Sequence, residues 1–370
     1  MEINSEVTMK ISFVLPNNLD HPIGGYKVIY EYANMFASNG DDVTINFTLY
    51  DRVPNKCVGL RGVLGKIKRN ILYHVGILVE AKKNVTWFNL DSRIKLNFAL
   101  PQEKYFPDSD IVIATAWTTA YTVNKLPSRK GTKVYFIQHD ERIFGPAEFV
   151  EPTWLFDMKR IVVASWLKEM LQNELGVKAE VVKNFVNIEE FDISNSLTKR
   201  KHVVSMLNHN NPFKGTADGI EVLKKVHDKV PDLEVKIFGT PQEPENLPDY
   251  FSYTQNATSK QLKDLYNQSA IYLFPSHIEG WGLTATEAMM CGAALVSSKN
   301  GGVNDFGINQ QTALLSEVGD KEQMVKNVIE LLQNTHKRIE ISENGYKLVR
   351  NFNRHSSFIE FEHILKQTKN

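Results

Sequence analysis

The chain has 370 residues, more than one hydrophobic core usually organises, so two α/β domains of comparable size are expected, with a single large barrel as the alternative. Its 43 basic and 43 acidic side chains cancel, which excludes a global electrostatic draw to nucleic acid, and 42% hydrophobic with 23% charged residues excludes a disordered or fibrous chain. Two cysteines, Cys57 and Cys291, far apart and in no paired spacing, exclude a disulfide framework and a zinc site and fit a reducing compartment.

The opening Met1-Glu2-Ile3-Asn4-Ser5-Glu6 lacks the basic region and long apolar core of a signal peptide. No stretch approaches the roughly 20 uninterrupted apolar residues needed to cross a bilayer. The expectation is a cytoplasmic protein whose membrane contact, if it has one, is peripheral and at the inner face. Apolar runs of strand length then alternate with amphipathic runs of helix length, the rhythm of parallel sheets covered by helices on both faces. Residues 11–15 read as the first strand, Gly24-Gly25 as a loop, 26–39 as a helix closed by Gly40, and 42–49 as the second strand.

Between residues 60 and 83, Arg61, Lys66, Lys68, Arg69, Lys82 and Lys83 are interspersed with Leu64, Ile67, Ile71, Leu72, Val75, Ile77 and Leu78. If helical, this stretch has two readings of equal weight: contact with an anionic membrane surface, or a domain helix with a solvated basic face. Residues 111–114, 133–137 and 160–164 read as buried strands that complete a first domain. The stretch Val181-Val182-Lys183-Asn184-Phe185-Val186-Asn187 then leaves a strand and leads to the polar segment 194–201, which puts the boundary between domains 1–187 and 188–345. The rhythm restarts with strand 202–207, helix 217–229 and strands 234–238, 271–274 and 294–297. After Lys321 the chain is mainly helical. The segment 346–370, with Phe352, Phe358, Phe361 and Ile364 in and around it, is expected to be helical and free to pack back on the first domain.

The segment from His277 to Gly292 carries the chemistry. It follows strand 271–274 and opens a helix near Leu283. Gly280 and Gly282 allow backbone amides, including those of Trp281 and Leu283, to approach an anion, and the helix N-terminus adds partial positive charge, so a diphosphate fits there. Glu279 and Glu287 bracket this loop with seven residues between them. One carboxylate can accept from sugar hydroxyls and the other from ribose hydroxyls, with phosphates between. The alternative makes Glu287 a favourable first-turn acid and Glu279 a surface loop residue.

Together with Cys291-Gly292-Ala293-Ala294 and the pair Gly301-Gly302, residues 274–302 resemble the E-x7-E signature of glycosyltransferase family 4. Other landmarks occur in the family's order. Phe213-Lys214-Gly215 is similar to its Lys-Gly motif, whose lysine would neutralise the donor phosphates. Where the family usually has an Arg five residues earlier, this chain has His209, which offers one hydrogen bond in place of a charged fork. Gly24-Gly25 resembles the family's glycine loop beneath the donor phosphates and acceptor. Asn184-Phe185-Val186-Asn187 is similar to its interdomain Asn-Gly-Val-Asp segment, with Phe185 and Asn187 departing from it. His139, in Gln138-His139-Asp140-Glu141, stands where the family often has a sugar-contacting His; the alternative is a structural histidine, with Asp140 and Glu141 holding the neighbouring loop.

The resemblance implies a GT-B fold, two Rossmann-like domains with parallel sheets facing each other across a cleft. It implies retaining transfer of a sugar from a nucleoside diphosphate sugar to the hydroxyl of a glycan or lipid-linked acceptor, in cell-surface polysaccharide or glycoconjugate synthesis. Glu279 would orient the sugar, Glu287 would hold the ribose, His139 would contact the sugar from the other domain, and neither metal nor cofactor would be needed. Asp108-Ser109-Asp110 has the Asp-x-Asp spacing of the metal and diphosphate motif in single-domain GT-A transferases. It immediately precedes strand 111–114, where acidic residues commonly begin a strand after a turn, and has no accompanying ligand cluster. The rival readings are a nucleotide-sugar epimerase or hydrolase, and a non-catalytic donor-binding subunit.

Overall fold

The computed structural model describes residues 8–51, 53, 60–80 and 84–369; the amino-terminal hexapeptide, Cys57, Lys82 and Lys83 lie outside them. The chain forms two compact units. One comprises the described residues of 1–163, 167–182 and 358–370, and the other residues 164–166 and 183–357.

In the first unit the chain runs through β1 (Lys10–Pro16), α1 (Gly24–Ser38), β2 (Asp42–Thr48), α2 (Leu60–His74), α3 (Ile77–Glu80), β3 (Lys95–Ala99), β4 (Ile111–Ala114) and α4 (Trp117–Asn124). It continues through β5 (Thr132–Ile137), α5 (Ala147–Trp154), β6 (Lys159–Val162), α6 (Ser165–Leu175), whose first two residues belong to the second unit, and β7 (Glu180–Val181). Among the described residues these strands make a seven-stranded sheet in the order β3-β2-β1-β4-β5-β6-β7, and every neighbouring pair is parallel. A parallel sheet covered on both faces needs unbroken apolar strands, and the interior of β1 and all of β4 are buried.

The second unit runs through β8 (Val203–Asn208), α7 (Thr216–His227), β9 (Glu234–Gly239), β10 (Phe251–Gln255), α8 (Ser259–Gln268), β11 (Ile271–Phe274) and α9 (Leu283–Met290). There follow β12 (Ala294–Ser298), β13 (Ala313–Ser316), α10 (Lys321–Gln333), α11 (Thr335–Val349) and α12 (Arg354–Lys369), whose residues from Phe358 onward belong to the first unit. Its six described strands are ordered β10-β9-β8-β11-β12-β13, again all parallel. The core gathers Val204 and Met206 from β8, Val222, Leu223 and Val226 from α7, and Val328 and Leu331 from α10.

Both sheets are doubly wound, and in each the winding direction reverses beside the first strand: between β1 and β4, and between β8 and β11. At such a reversal the loops leaving two adjacent strands diverge to opposite faces and open a crevice at their carboxyl ends. In the second unit those two loops are 209–215 and 275–282. The expected strands beginning at residues 11, 42, 111, 133, 160, 202, 234, 271 and 294 are all present, with ends shifted by a residue or two. Gly24-Gly25 differs from the expectation. The pair forms the first turn of α1, not a loop before it, because neither glycine has a positive φ and helical backbone continues through both.

Candidate functional site

In the second unit, the loop after β8 and the loop after β11 are fastened to each other. Gly215 ends the first of them at φ +67°, and a Cβ there would lie 2.2 Å from the Pro275 carbonyl oxygen, so the backbone approach requires glycine. The His277 amide donates to the Phe213 carbonyl at 2.7 Å. This contact carries the Lys214 side chain to Glu279, with Nζ 2.8 Å from Oε1 and 2.7 Å from Oε2. Glu279 is 5% exposed, so the surface-residue alternative fails for it. Its amide donates to the Asn300 carbonyl at 2.9 Å, and Gly302 has no room for a side chain because a Cβ would meet the Trp281 carbonyl oxygen at 2.4 Å.

From Glu279 the loop passes through Gly280, whose carbonyl accepts from Trp166 Nε1 at 3.0 Å, to Gly282 at φ +112°, the residue that opens α9. The side chain of Trp281 is buried, its ring 5.4 Å from Phe306 and 5.2 Å from Phe352, which leaves its backbone as the part that can serve a ligand. Leu283 is the first residue of α9, and Glu287 lies in the middle of that helix, 7% exposed. The Tyr266 hydroxyl lies 3.5 Å from Glu287 Oε2. Glu287 is therefore beyond the first turn, and its carboxylate is not there to serve the helix dipole.

His209 follows β8. Its Nδ1 accepts from the Asn211 amide at 3.0 Å, which assigns the ring proton of the neutral form to Nε2. Burial lowers its pKa, the nearby Lys214 ammonium lowers it further, and Glu279 opposes them. At neutral pH the ring is an uncharged single donor. The positive charge of this loop thus resides on Lys214, and that charge is already engaged with Glu279.

In the first unit, Gly24 and Gly25 begin α1, and the Gly25 carbonyl accepts from Gln138 Nε2 at 3.2 Å. Gln138 and His139 follow β5, so the start of α1 and the predicted histidine belong to one corner of this unit. The Nδ1 atom of His139 lies 3.2 Å from the Asp140 carbonyl, and its ring packs against Phe144 with centroids 5.5 Å apart. Beneath this turn Glu141 is buried, accepting from the Trp117 amide at 2.8 Å and from the Tyr135 hydroxyl. Burial pushes its carboxyl up to about 7, against the opposing effect of those donors. Asp140 is paired with Arg142, which also reaches Glu174.

The Asp-x-Asp stretch has structural partners. Asp108 pairs with Arg129 and Lys130 at 3.0 and 2.7 Å, and Asp110 accepts from the Lys10 amide at 2.8 Å, tying β1 to the start of β4. Among the described residues, no group of three or more His, Cys, Asp or Glu could hold a metal ion. Sequence reasoning missed Trp166, Asn300 and Tyr266, which support the glycine loop and the two glutamates. Their contacts come from α6, α8 and the loop after β12, and nothing in the local spacing announces them.

Residues 187–348 match the family model described as glycosyl transferases group 1. Over 320 residues the chain is 23% identical to the capsular polysaccharide biosynthesis glycosyltransferase CapM of Staphylococcus aureus, covering 78% of this chain and 83% of that protein. These findings support a GT-B glycosyltransferase. Its fold agrees with solved structures: HepE of Anabaena in complex with UDP superposes with a TM-score of 0.71 at 14% identity, covering 97% of this chain and 100% of that one. A mutant of S. aureus TarM, in complex with fondaparinux, alpha-GlcNAc-glycerol and UDP, gives 0.70 at 13% identity, covering 97% and 100%. The segment matched by the family model contains Glu279, Glu287, Lys214 and His209. No described helix is long and apolar enough to cross a membrane.

Proposed function

We propose that this protein is a retaining glycosyltransferase of family 4 that moves a sugar from a nucleoside diphosphate sugar to the hydroxyl of a glycan or lipid-linked acceptor, in cell-surface polysaccharide synthesis. The observation that carries the reading is the ion pair of Lys214 with buried Glu279 at the start of a glycine loop that opens α9. The diphosphate lies against the amides of residues 280–283 and the N-terminus of α9, and Lys214, with two of its three donors on Glu279, directs the remaining one at the phosphate. Glu279 accepts from the sugar hydroxyls, Glu287 from the ribose, and His209 Nε2–H supplies a neutral donor. In the first unit, Gly24 and Gly25 leave the start of α1 open to the phosphates and acceptor, and His139 contacts the sugar.

In the chemical step the bond from the anomeric carbon to the diphosphate oxygen breaks and a bond to the acceptor oxygen forms on the same face. The acceptor proton passes to the departing diphosphate. The negative charge that develops there is stabilised by Lys214, the loop amides and the helix dipole, so no metal ion is required. The CapM name supports a polysaccharide product, and the UDP in the HepE and TarM complexes supports a uridine diphosphate donor.

Thermal stabilisation by UDP, dTDP, GDP and ADP, followed by turnover with the matching sugar nucleotide in excess chelator, tests the reading. Stabilisation by one nucleotide and acceptor-dependent, anomer-retaining transfer in chelator are expected. Sugar release or epimerisation without acceptor, or binding without turnover across many acceptors, would transfer the assignment to the rival activities.

A further inference from the structure

Helix α2 stands in the first unit with its apolar side outward. Leu60, Leu64, Ile67, Ile71 and Val75 recur at helical spacing along one face, and the last four are between 49% and 59% exposed. No residue of α2 is buried. The helix is held by its other side: the Arg69 guanidinium donates to the Leu49 carbonyl at 2.7 Å, the Tyr73 ring meets Tyr105 at 5.1 Å, and His74 Nε2 lies 3.1 Å from the Tyr105 hydroxyl. A helix that packs through arginine and leaves its leucine and isoleucine stripe in water keeps that stripe for another partner.

The charges identify the partner. Helix α2 contains no Asp or Glu, and Arg61 and Lys68 flank the stripe on one side, while Lys66 is half-buried on the side that packs. Among the described residues none of these three pairs with a carboxylate. At about 1.5 Å per residue the stripe extends for roughly 22 Å along the helix. Apolar side chains that sink among acyl chains, beside cations at headgroup level, match an anionic lipid surface. A second copy docked stripe to stripe would set like charges against each other with no acid to relieve them.

We infer that α2 lies flat on an anionic membrane through Leu64, Ile67, Ile71 and Val75, with Arg61 and Lys68 on the lipid headgroups. This goes beyond glycosyl transfer and does not depend on it, since no donor enters the test.

The full chain is sedimented with vesicles of phosphatidylcholine alone and with about a third of the lipid replaced by phosphatidylglycerol, at low and high salt. Binding to the anionic vesicles, weakened by salt, is expected. Replacement of Leu64 and Ile67 together by Glu should abolish it, and Arg61→Gln with Lys68→Gln should weaken it by roughly tenfold or more. All four side chains are at least partly exposed, and unchanged melting temperatures establish that the variants fold. Absence of binding to the anionic vesicles, equal binding to both kinds, or a dimer in size-exclusion chromatography that Ile67→Glu disperses would each overturn the inference.

Discussion

The carboxylates of Glu279 and Glu287 are both buried but differently supplied, one by the Lys214 ammonium and the other by the Tyr266 hydroxyl. That difference sets what each loss should do. Glu279→Ala frees Lys214, which is partly exposed and can hydrate, so stability should fall by only about 1–2 kcal/mol. With its sugar-facing acceptor gone, turnover should drop by roughly a hundredfold while the donor KM changes little. Glu287→Ala removes an acceptor for the ribose and should weaken nucleotide binding by about tenfold, with the smaller effect on kcat. Calorimetry with nucleotide and steady-state kinetics separate the two, and a variant pair with interchangeable profiles would refute the division of labour. Glu141 makes a prediction of another kind. Its carboxyl titrates near 7 in the folded protein against an ordinary 4.5, so the native state holds the proton more tightly than the unfolded chain. The stability it contributes is complete below pH 4.5 and is lost as pH rises through about 7, a change of about 3 kcal/mol. Urea unfolding from pH 5 to 8 should show that slope in the native protein and a flatter one in Glu141→Gln; parallel curves would contradict it.

Elements position these groups through a few backbone contacts that allow little adjustment. Gly215 combines a left-handed backbone with a carbonyl 2.2 Å from where a Cβ would stand, so Gly215→Ala must move the loop that carries Lys214. A loss of about 1–3 kcal/mol and at least roughly a tenfold fall in kcat/KM are expected from thermal melts and kinetics. Wild-type rates in that variant would mean that the Lys214–Glu279 contact is not needed for transfer. The same scale explains what could be read in the sequence. Strands such as β4 and β11 are covered on both faces and spell unbroken apolar runs, IVIA and IYLF, which no other element of that length resembles. The strands not recognised, β3, β10 and β13, all lie at sheet edges. Edge strands tolerate polar residues: β3 begins Lys95-Leu96-Asn97 and β10 is exposed or half-buried after Phe251, so their alternation is lost among loop sequence. The glycine loop was legible because a close backbone approach leaves glycine as its mark, whereas the outward turn of α2 was not. Periodicity reveals that a helix has an apolar face, and only the surrounding packing decides which way it turns.

At the scale of the molecule the chain leaves its first unit, builds the second, and returns with α12 to complete the first. The return is hydrophobic. Phe361 is fully buried, its ring 4.6 Å from Tyr32, 5.1 Å from Phe136 and 5.8 Å from Phe36, and Phe358 meets Phe36 at 4.9 Å. Tyr32 and Phe36 are on α1, whose first turn contains Gly24 and Gly25, and Phe136 is on β5, which ends just before Gln138 and His139. The last helix is therefore packed behind the elements that present the predicted first-unit site residues. Phe361→Ala should cost about 3–5 kcal/mol through lost burial and the cavity it leaves. Because each unit has its own core, the damage should stay in the first. Hydrogen exchange followed by mass spectrometry should show faster exchange in peptides from α1, β1 and β5, with β8, β11 and α9 retaining native protection. Nucleotide should still slow exchange at residues 279–287 in this variant, since Lys214, the loop amides of 280–283 and Glu287 all lie in the second unit. Uniform acceleration across both units, or loss of the nucleotide effect, would show instead that the two cores do not stand separately.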